Sequence, residues 1–258
     1  KNYSDYIKEH FDYKVQKISI NAGFTCPNRD GSIGVGGCTY CNNRSFNPDY
    51  CVSTTSVTKQ LEEGKIFFRR KAKYAGLKFL AYFQAYTNTY GEFSRLKSLY
   101  EEALACEDVV GLVIGTRPDC VDDRLLDYFQ ELSKEKYVMI EYGVESTDDN
   151  TLKRINRGHD FACACKAIRD TASRGIQTGA HLILGLPGET PEMILKGADR
   201  MSELPIDIIK LHQLQIVRDT PMAEEYAKNP DEFKLFSIEA YQQLLAEFVE
   251  HLRADICI

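Results

Sequence analysis

Six times along this chain a short apolar run is followed by a longer amphipathic stretch, and that alternation limits the folds open to it. The runs are YKVQKISIN (13–21), LKFLAYFQ (77–84), VVGLVIGT (109–116), YVMIEYGVES (137–146), IQTGAHLILG (176–185) and IDIIKLHQLQIV (206–217). VVGLVIGT is apolar almost throughout, as a strand buried on both faces requires. The intervening pattern predicts helices over 55–76, 94–106, 122–135, 148–155, 161–175 and 190–204, and a last one over 237–255. Thr55 or Ser56 is the expected cap of the first helix and Gly76 its stop; Ser94 caps the second. Thr190 followed by Pro191 opens the sixth. Alternation of this kind implies an α/β fold of parallel strands with right-handed helical crossovers. A doubly wound sheet and a barrel are the candidates. No composition break, low-complexity segment or short repeat marks a second domain. One domain over 1–258 is expected, with a helical segment at about 1–12, a core at about 13–217 and a helical segment at about 218–258.

Polar residues gather at the C-terminal ends of the runs. They are Gln84, Thr87 and Asn88, then Arg117 and Asp119, Glu141 and Glu145, and Lys210 and His212. In a parallel barrel those ends form one mouth, where active sites are built.

The stretch CPNRDGSIGVGGCTYC holds Cys26, Cys38 and Cys41 in a glycine-rich loop, spaced C-x11-C-x2-C. Two intervening residues let the Cys38 and Cys41 thiolates face one centre, and the glycines let Cys26 fold back to it. Structural zinc would need a fourth ligand, for which Cys51 is the candidate. A redox C-x-x-C would open a helix without a third partner upstream. A four-iron cluster is normally held by four thiolates, so three leave one iron open for chemistry. The chain has nine cysteines, an odd number scattered well beyond this loop, which speaks against a secreted disulfide framework. Cys106, Cys120 and Cys257 read as core thiols. Cys163 and Cys165, two apart on a helix, point to different sides. A reducing, cytoplasmic setting is expected. The N-terminal KNYSDYIKEH is polar, and no run approaches the length of a membrane span. The net charge of −6 disfavours nucleic acid as a partner; FFRRKAK (67–73) is the one basic run that could serve it.

A three-cysteine loop directly after the first strand of a six-fold β-α chain resembles the radical S-adenosylmethionine (SAM) superfamily. Its usual spacing is C-x3-C-x2-C, so the first spacer is longer here by eight residues. GTRPD (115–119), EYGVES (141–146), NRGH (156–159) and GLPGET (185–190) resemble, in order, the subgroup of the elongator catalytic subunit and the oxygen-independent coproporphyrinogen oxidases. AGFTCPNRDG, GGCTYC, FQAYTNTY and TRPDC are similar to a YhcC-like branch. The resemblance implies a partial (β/α)6 TIM-like barrel, a [4Fe–4S] cluster on Cys26, Cys38 and Cys41, and SAM on the fourth iron. It further implies reductive cleavage of SAM to a 5′-deoxyadenosyl radical that takes a hydrogen atom from substrate. An electron donor such as flavodoxin or ferredoxin is then an expected partner.

The resemblance also places residues. Tyr40 stands where the family packs an aromatic residue near adenine. QAYTNTYG (84–91) takes the place of the motif that holds the methionyl amine; the usual GGE is missing, so Gln84, Thr87 and Asn88 enter by position. Leu184 and Gly185 are expected beside adenine. Glu145, with Ser146 next to it, is expected at the ribose hydroxyls, where relatives often carry Gln. Glu141, Gly143 and Glu145 share a strand face. Arg117 is the natural partner for Glu141, either as a strand-to-strand salt bridge or toward SAM or substrate. Glu141, Lys210 and His212 are the catalytic candidates, the last two on one face of the sixth strand. His181 is a satisfied core histidine or a substrate ligand. A small polar substrate is expected. The branch brings in one specific case, cleavage of the C–N bond of queuine to the 7-aminomethyl-7-deazaguanine base in queuosine salvage, a lyase reaction. Asp119 and Glu141 would meet the donor edge of that base. Modification of tRNA or another macromolecule is the alternative, and a zinc-stabilised interaction protein is the non-enzymatic one. The residues Asn28, Arg29 and Asp30 of the long spacer are expected close to the mouth.

Overall fold

The computed structural model describes residues 1–42, 47–71 and 76–258. A first helix, α1 (Tyr3–His10), precedes β1 (Val15–Ile20), and the cysteine loop follows. Then come α2 (Val57–Lys71), β2 (Lys78–Phe83), α3 (Phe93–Ala105), β3 (Val109–Thr116), α4 (Asp123–Ser133) and β4 (Tyr137–Glu145). The chain continues through α5 (Asp149–Arg154), α6 (Phe161–Ser173), β5 (Gln177–Leu184), α7 (Pro191–Ser202) and β6 (Ile208–Gln213), and closes with α8 (Pro221–Lys228) and α9 (Ile238–His251). The end of the predicted first long helix, with the last basic residue of FFRRKAK, lies outside the described residues; Arg69 of that run pairs with Asp108 at 2.6 Å.

All six strands pair in parallel in the order β1-β2-β3-β4-β5-β6. A doubly wound sheet would reverse its strand order at a switch point. Sequential order instead keeps every crossover on one side, and the sheet curves into a half-barrel with helices outside. The local signals mostly hold. Ser56 accepts from Lys59 N at 3.2 Å, and Thr190 accepts from Met193 N at 3.3 Å. Ser94 is not a cap: α3 starts one residue earlier, after Glu92. The sixth strand is shorter than the apolar pattern predicts. Its partner β5 ends at Leu184, whose carbonyl takes a last bond from Leu214 N at 3.0 Å, before Gly185 turns away at φ +90°.

Strand alternation sorts residues between two cores. Phe79, Ala81, Phe83, Leu112, Ile114, Ile140, Tyr142, Ala180 and Leu182 face the helices. Leu80, Tyr82, Val113 and Met139 face inward, against Tyr6 and Ile7 of α1 and against Cys257. Thus α1 and the C-terminal residues stopper the N-terminal end of the half-barrel. Tyr6 Oη donates to Gln177 Oε1 at 2.6 Å, and Ile209 N donates to Cys257 O at 2.8 Å. Only the opposite end, at the strand C-termini, stays open.

Gly111 sits where β3 meets β4. A Cβ there would come within 2.7 Å of Tyr137 Cβ and 3.0 Å of its carbonyl carbon. Gly111→Ala is expected to cost about 1–3 kcal/mol through overpacking. A thermal melt checks this, and an unchanged Tm would reject the close approach.

Candidate functional site

The long spacer between the first two cysteines folds back on itself. Arg29 N and Asp30 N donate to Cys26 O at 2.8 and 3.2 Å, and Ile33 N donates to Pro27 O at 2.9 Å. Asp30 and Val35 form an antiparallel bridge, and Gly37 N donates to Asn28 O at 2.7 Å. Gly37 has φ +82°, and a Cβ on it would lie 2.8 Å from Arg29 Nε. The spacer is therefore a small hairpin that returns the chain beside its own start, so eight extra residues do not separate the cysteines' faces. The hairpin seats on the NRGH turn after α5. Thr39 N donates to Ile155 O at 3.0 Å, Asn156 Nδ2 to Gly37 O at 2.8 Å, and Asn28 Nδ2 to Asn156 O at 2.5 Å. Asn28 is buried behind the loop, with Nδ2 also 3.6 Å from Cys38 Sγ, while Arg29 faces the mouth and donates to Cys41 O at 2.7 Å. Asp30 is exposed and binds Ser32 N instead.

Cys26, Cys38 and Cys41 line one wall of a cavity of about 470 Å³ at the open end. Tyr40, Glu145 and Arg157 line it beside them. Arg157 is buried, with Nη1 3.5 Å from Cys38 Sγ, Nη2 3.7 Å from Glu145 Oε1, and Nη2 donating to Gly143 O at 2.5 Å. Burial works against its charge, but Tyr40, Cys38 and Glu145 together hold the guanidinium well above its ordinary value. Burial, then Cys38, pushes the Cys41 thiol up, and Arg29 opposes them. Gln84, Thr87 and Arg117 reach the wall from the ends of β2 and β3.

The inner floor carries Glu141, His181, Lys210 and His212, with Tyr82 beside them. Glu141 does not pair with Arg117. Its Oε1 accepts from Lys17 Nζ at 2.6 Å and its Oε2 lies 2.9 Å from His181 Nε2. Burial alone would raise the Glu141 carboxyl; Lys17 and His181 outweigh it and hold the group well below the usual carboxylate range. Arg117 binds Asp119 through two bonds, 2.8 and 2.6 Å, and donates to Arg157 O at 2.9 Å. The sequence expectation failed because residues on adjacent strands were paired by number, whereas inward side chains meet across the curve. Lys17 and Glu141 lie three strands apart along the sheet but meet inside it.

Five expected site residues are not on the cavity wall. Asp119 lies in the turn after β3, with both carboxylate oxygens held by Arg117. Asn88 is fully buried behind the wall and donates to Gly115 O at 2.7 Å, bracing β2 on β3. Ser146 turns back to donate to Glu189 Oε1 at 2.5 Å. Leu184 falls on the helix-facing side of β5, in the outer core. Gly185 lies beyond the strand, against Phe236. Ile183, one residue earlier, lines the cavity in their place, as period-two alternation from His181 dictates. Lys17 and Tyr82 were missed. The signal for Lys17 was available: a lysine one residue before the alternating buried Ile18 and Ile20 faces the other side of its strand. Arg157 lay in a noted motif without an assigned role.

The donor set fits a cluster. Three cysteine thiols share a wall, two N–H groups approach Cys38 Sγ, and Arg29 and Arg157 supply countercharge. Among the described residues no three His, Cys, Asp or Glu side chains converge as ligands of one ion do. Thiolates on separate corners of an iron–sulfur cube have no need to. Cys51 is buried and does not line the wall that Cys26, Cys38 and Cys41 share.

Residues 21–201 match the Radical SAM superfamily, and residues 206–258 match the Radical_SAM C-terminal domain. Protein YhcC of Escherichia coli K12 is 39% identical over 251 residues, 97% of this chain and 79% of that protein. Among solved structures, the archaeal Methanocaldococcus infernus Elp3 superposes with TM-score 0.67 at 18% identity, over 94% of this chain and 55% of that one. Coproporphyrinogen III oxidase (HemN) from Escherichia coli gives 0.58 at 16%, over 97% and 55%. This chain thus spans about half of either structure, and at such identity the likeness concerns the fold.

Two tests follow from the site. After anaerobic reconstitution, Cys26→Ala, Cys38→Ala and Cys41→Ala should each lose iron and brown colour, while Cys51→Ala keeps both; loss with Cys51→Ala would restore the four-ligand reading. Burial, then His181 and Lys210, lowers His212 to about 4, and burial with Arg157 lowers His159 to about 4. An unfolded histidine takes up its proton near 6.5, so between there and about 4 the unfolded chain binds more protons, and stability falls as pH drops through that window. Urea midpoints at about pH 7 and about pH 5 should differ less in His212→Gln and in His159→Gln than in the parent. An undiminished difference in both would contradict the assignment.

Proposed function

The chain belongs to the radical SAM superfamily, and on that premise we propose that it is a radical SAM enzyme that abstracts a hydrogen atom from a small polar substrate held on the floor of its half-barrel. The family implies a [4Fe–4S] cluster and SAM. When bound, they supply the one-electron chemistry that ends in hydrogen-atom transfer from substrate. The rest falls to this chain. Cys26, Cys38 and Cys41 would hold the cluster, with Asn28 and Arg157 donating toward Cys38. Tyr40, Gln84, Thr87, Glu145 and Arg157 would hold SAM between that wall and the floor. The observation that carries the reading is the placement of the three cysteines and a polar floor on one cavity of about 470 Å³. Helix α1 and the C-terminal residues stopper the far end and keep water from entering there. Glu141, held ionised by Lys17, fixes the orientation of His181 against the cavity.

Cleavage of queuine to its aminomethyl base is the specific reaction the resemblance names. The two carboxylates assigned to its donor edge are both engaged, Asp119 with Arg117 and Glu141 with Lys17 and His181. Its support is therefore the likeness of the motifs and the size of the cavity. Reduced, reconstituted enzyme with SAM should release 5′-deoxyadenosine, and with the true substrate should do so about tenfold or more faster, the scale of one well-placed orienting interaction. Queuine is the first substrate to assay. Absence of the aminomethyl base would remove that reaction, and absence of 5′-deoxyadenosine under all conditions would remove the enzyme reading.

A further inference from the structure

The cavity floor holds a charge that, among the described residues, no ion pair answers. Glu141 is the one carboxylate on the floor, and both its oxygens are taken, by Lys17 and by His181. Lys210, in register with His181 on the neighbouring strand, points into the same space. It forms no ion pair among the described residues; its Nζ lies 5.7 Å from the centre of the Tyr82 ring. Burial pulls the ammonium below its ordinary value, Lys17 adds to that, and Glu141 opposes both. His212 stands beside it, 5.3 Å from the His181 ring, and is held neutral at ordinary pH. Toward the mouth, Glu145 faces Arg157, while Arg29 lies by the cysteines. A chain of net charge −6 thus keeps, at the floor of the cavity its three cysteines line, a cation with no ion pair among the described residues. Lys210 is exposed, so its ammonium is open to whatever enters the cavity, and it gains most from a partner that brings its own negative charge.

We propose that the substrate carries an anionic group, a carboxylate or a phosphate, that docks on Lys210 with His212 beside it, at the β5–β6 side of the floor. The inference rests on the enzyme reading above and narrows its substrate class. It also gives Glu141 a second effect: by committing itself to Lys17 and His181, it leaves Lys210 for the ligand. The floor then selects acidic metabolites over neutral bases, and places the acid opposite the cysteine wall, with the middle of the substrate between them.

The test is amine footprinting of the anaerobically reconstituted protein with a succinimidyl ester, read by mass spectrometry at Lys210, with Lys8 and Lys59 as exposed internal controls. Inorganic phosphate and acetate are added in separate arms, each against chloride of equal ionic strength, with and without SAM. Protection of Lys210 by about tenfold, the scale of one charge-assisted hydrogen bond, is expected from one of the two anions with SAM present. Protection by phosphate alone identifies a phosphate, and by acetate alone a carboxylate. No protection beyond chloride overturns the proposal, and so does full protection by SAM alone, which would hand Lys210 to the cofactor's own carboxylate. In Lys210→Met, heat stabilisation of the protein by the protecting anion should vanish; its persistence would also overturn the assignment. Turnover of queuine, which has no acidic group, without anion protection would overturn this site and leave the function standing. Anion protection in a protein that never forms 5′-deoxyadenosine would do the reverse.

Discussion

The carboxylate of Glu141 holds the inside of this half-barrel together. It is 3% exposed, and it joins Lys17 on β1 to His181 on β5 through bonds of 2.6 and 2.9 Å. A half-barrel has two free edges and no strand pairing to close it. The bridge ties the first strand to the fifth across the open interior, where the sheet's own hydrogen bonds cannot reach. A buried pair of this kind contributes little net stability against a well-packed apolar substitute, but removing one partner is costly, about 3–5 kcal/mol. Its worth here is specificity of arrangement. It fastens the floor residues at the curvature the six strands set, and it decides which cation is left over.

Space for that bridge comes from small residues. Gly143 and Gly179 face inward on β4 and β5, next to Glu141 and Arg157. A Cβ on Gly179 would press Glu141 Cγ at 3.0 Å, and one on Gly143 would meet Arg157 Nη2 at 2.8 Å. The inner face of the sheet is therefore built in two storeys. The lower is apolar and filled by α1; the upper is polar and lined with glycine where long side chains must cross. Strand alternation produces both storeys from the same inward positions, because Met139 and Glu141 differ only by one step along β4.

The cysteine wall depends on a second interlock. The NRGH turn after α5 receives the spacer hairpin through three backbone or amide bonds and then sends Arg157 back toward Cys38. The first cysteine loop and the fourth βα connection are thus one unit. This explains how a spacer of eleven residues is compatible with cysteines facing a common centre: it is a self-bonded hairpin with its own seat. Cys120 and Cys163, nearby in space, remain thiols raised by burial, and Cys120 reaches about 12.

The sequence alone determined the sequential α/β order, most strand boundaries and the cysteine trio, because these rest on local periodicity, caps and spacing. It also determined which residues of β4 and β6 share a face, since alternation is a property of a single strand. What only the tertiary structure decided was partnership. Glu141 chose Lys17 over Arg117, Asp119 was claimed by Arg117, Ser146 turned to Glu189 and Asn88 to the Gly115 carbonyl. Such choices depend on the curvature of the sheet, which brings β1 within reach of β4 across empty space. No pattern along the chain encodes that distance, because it is set by six strands packing together.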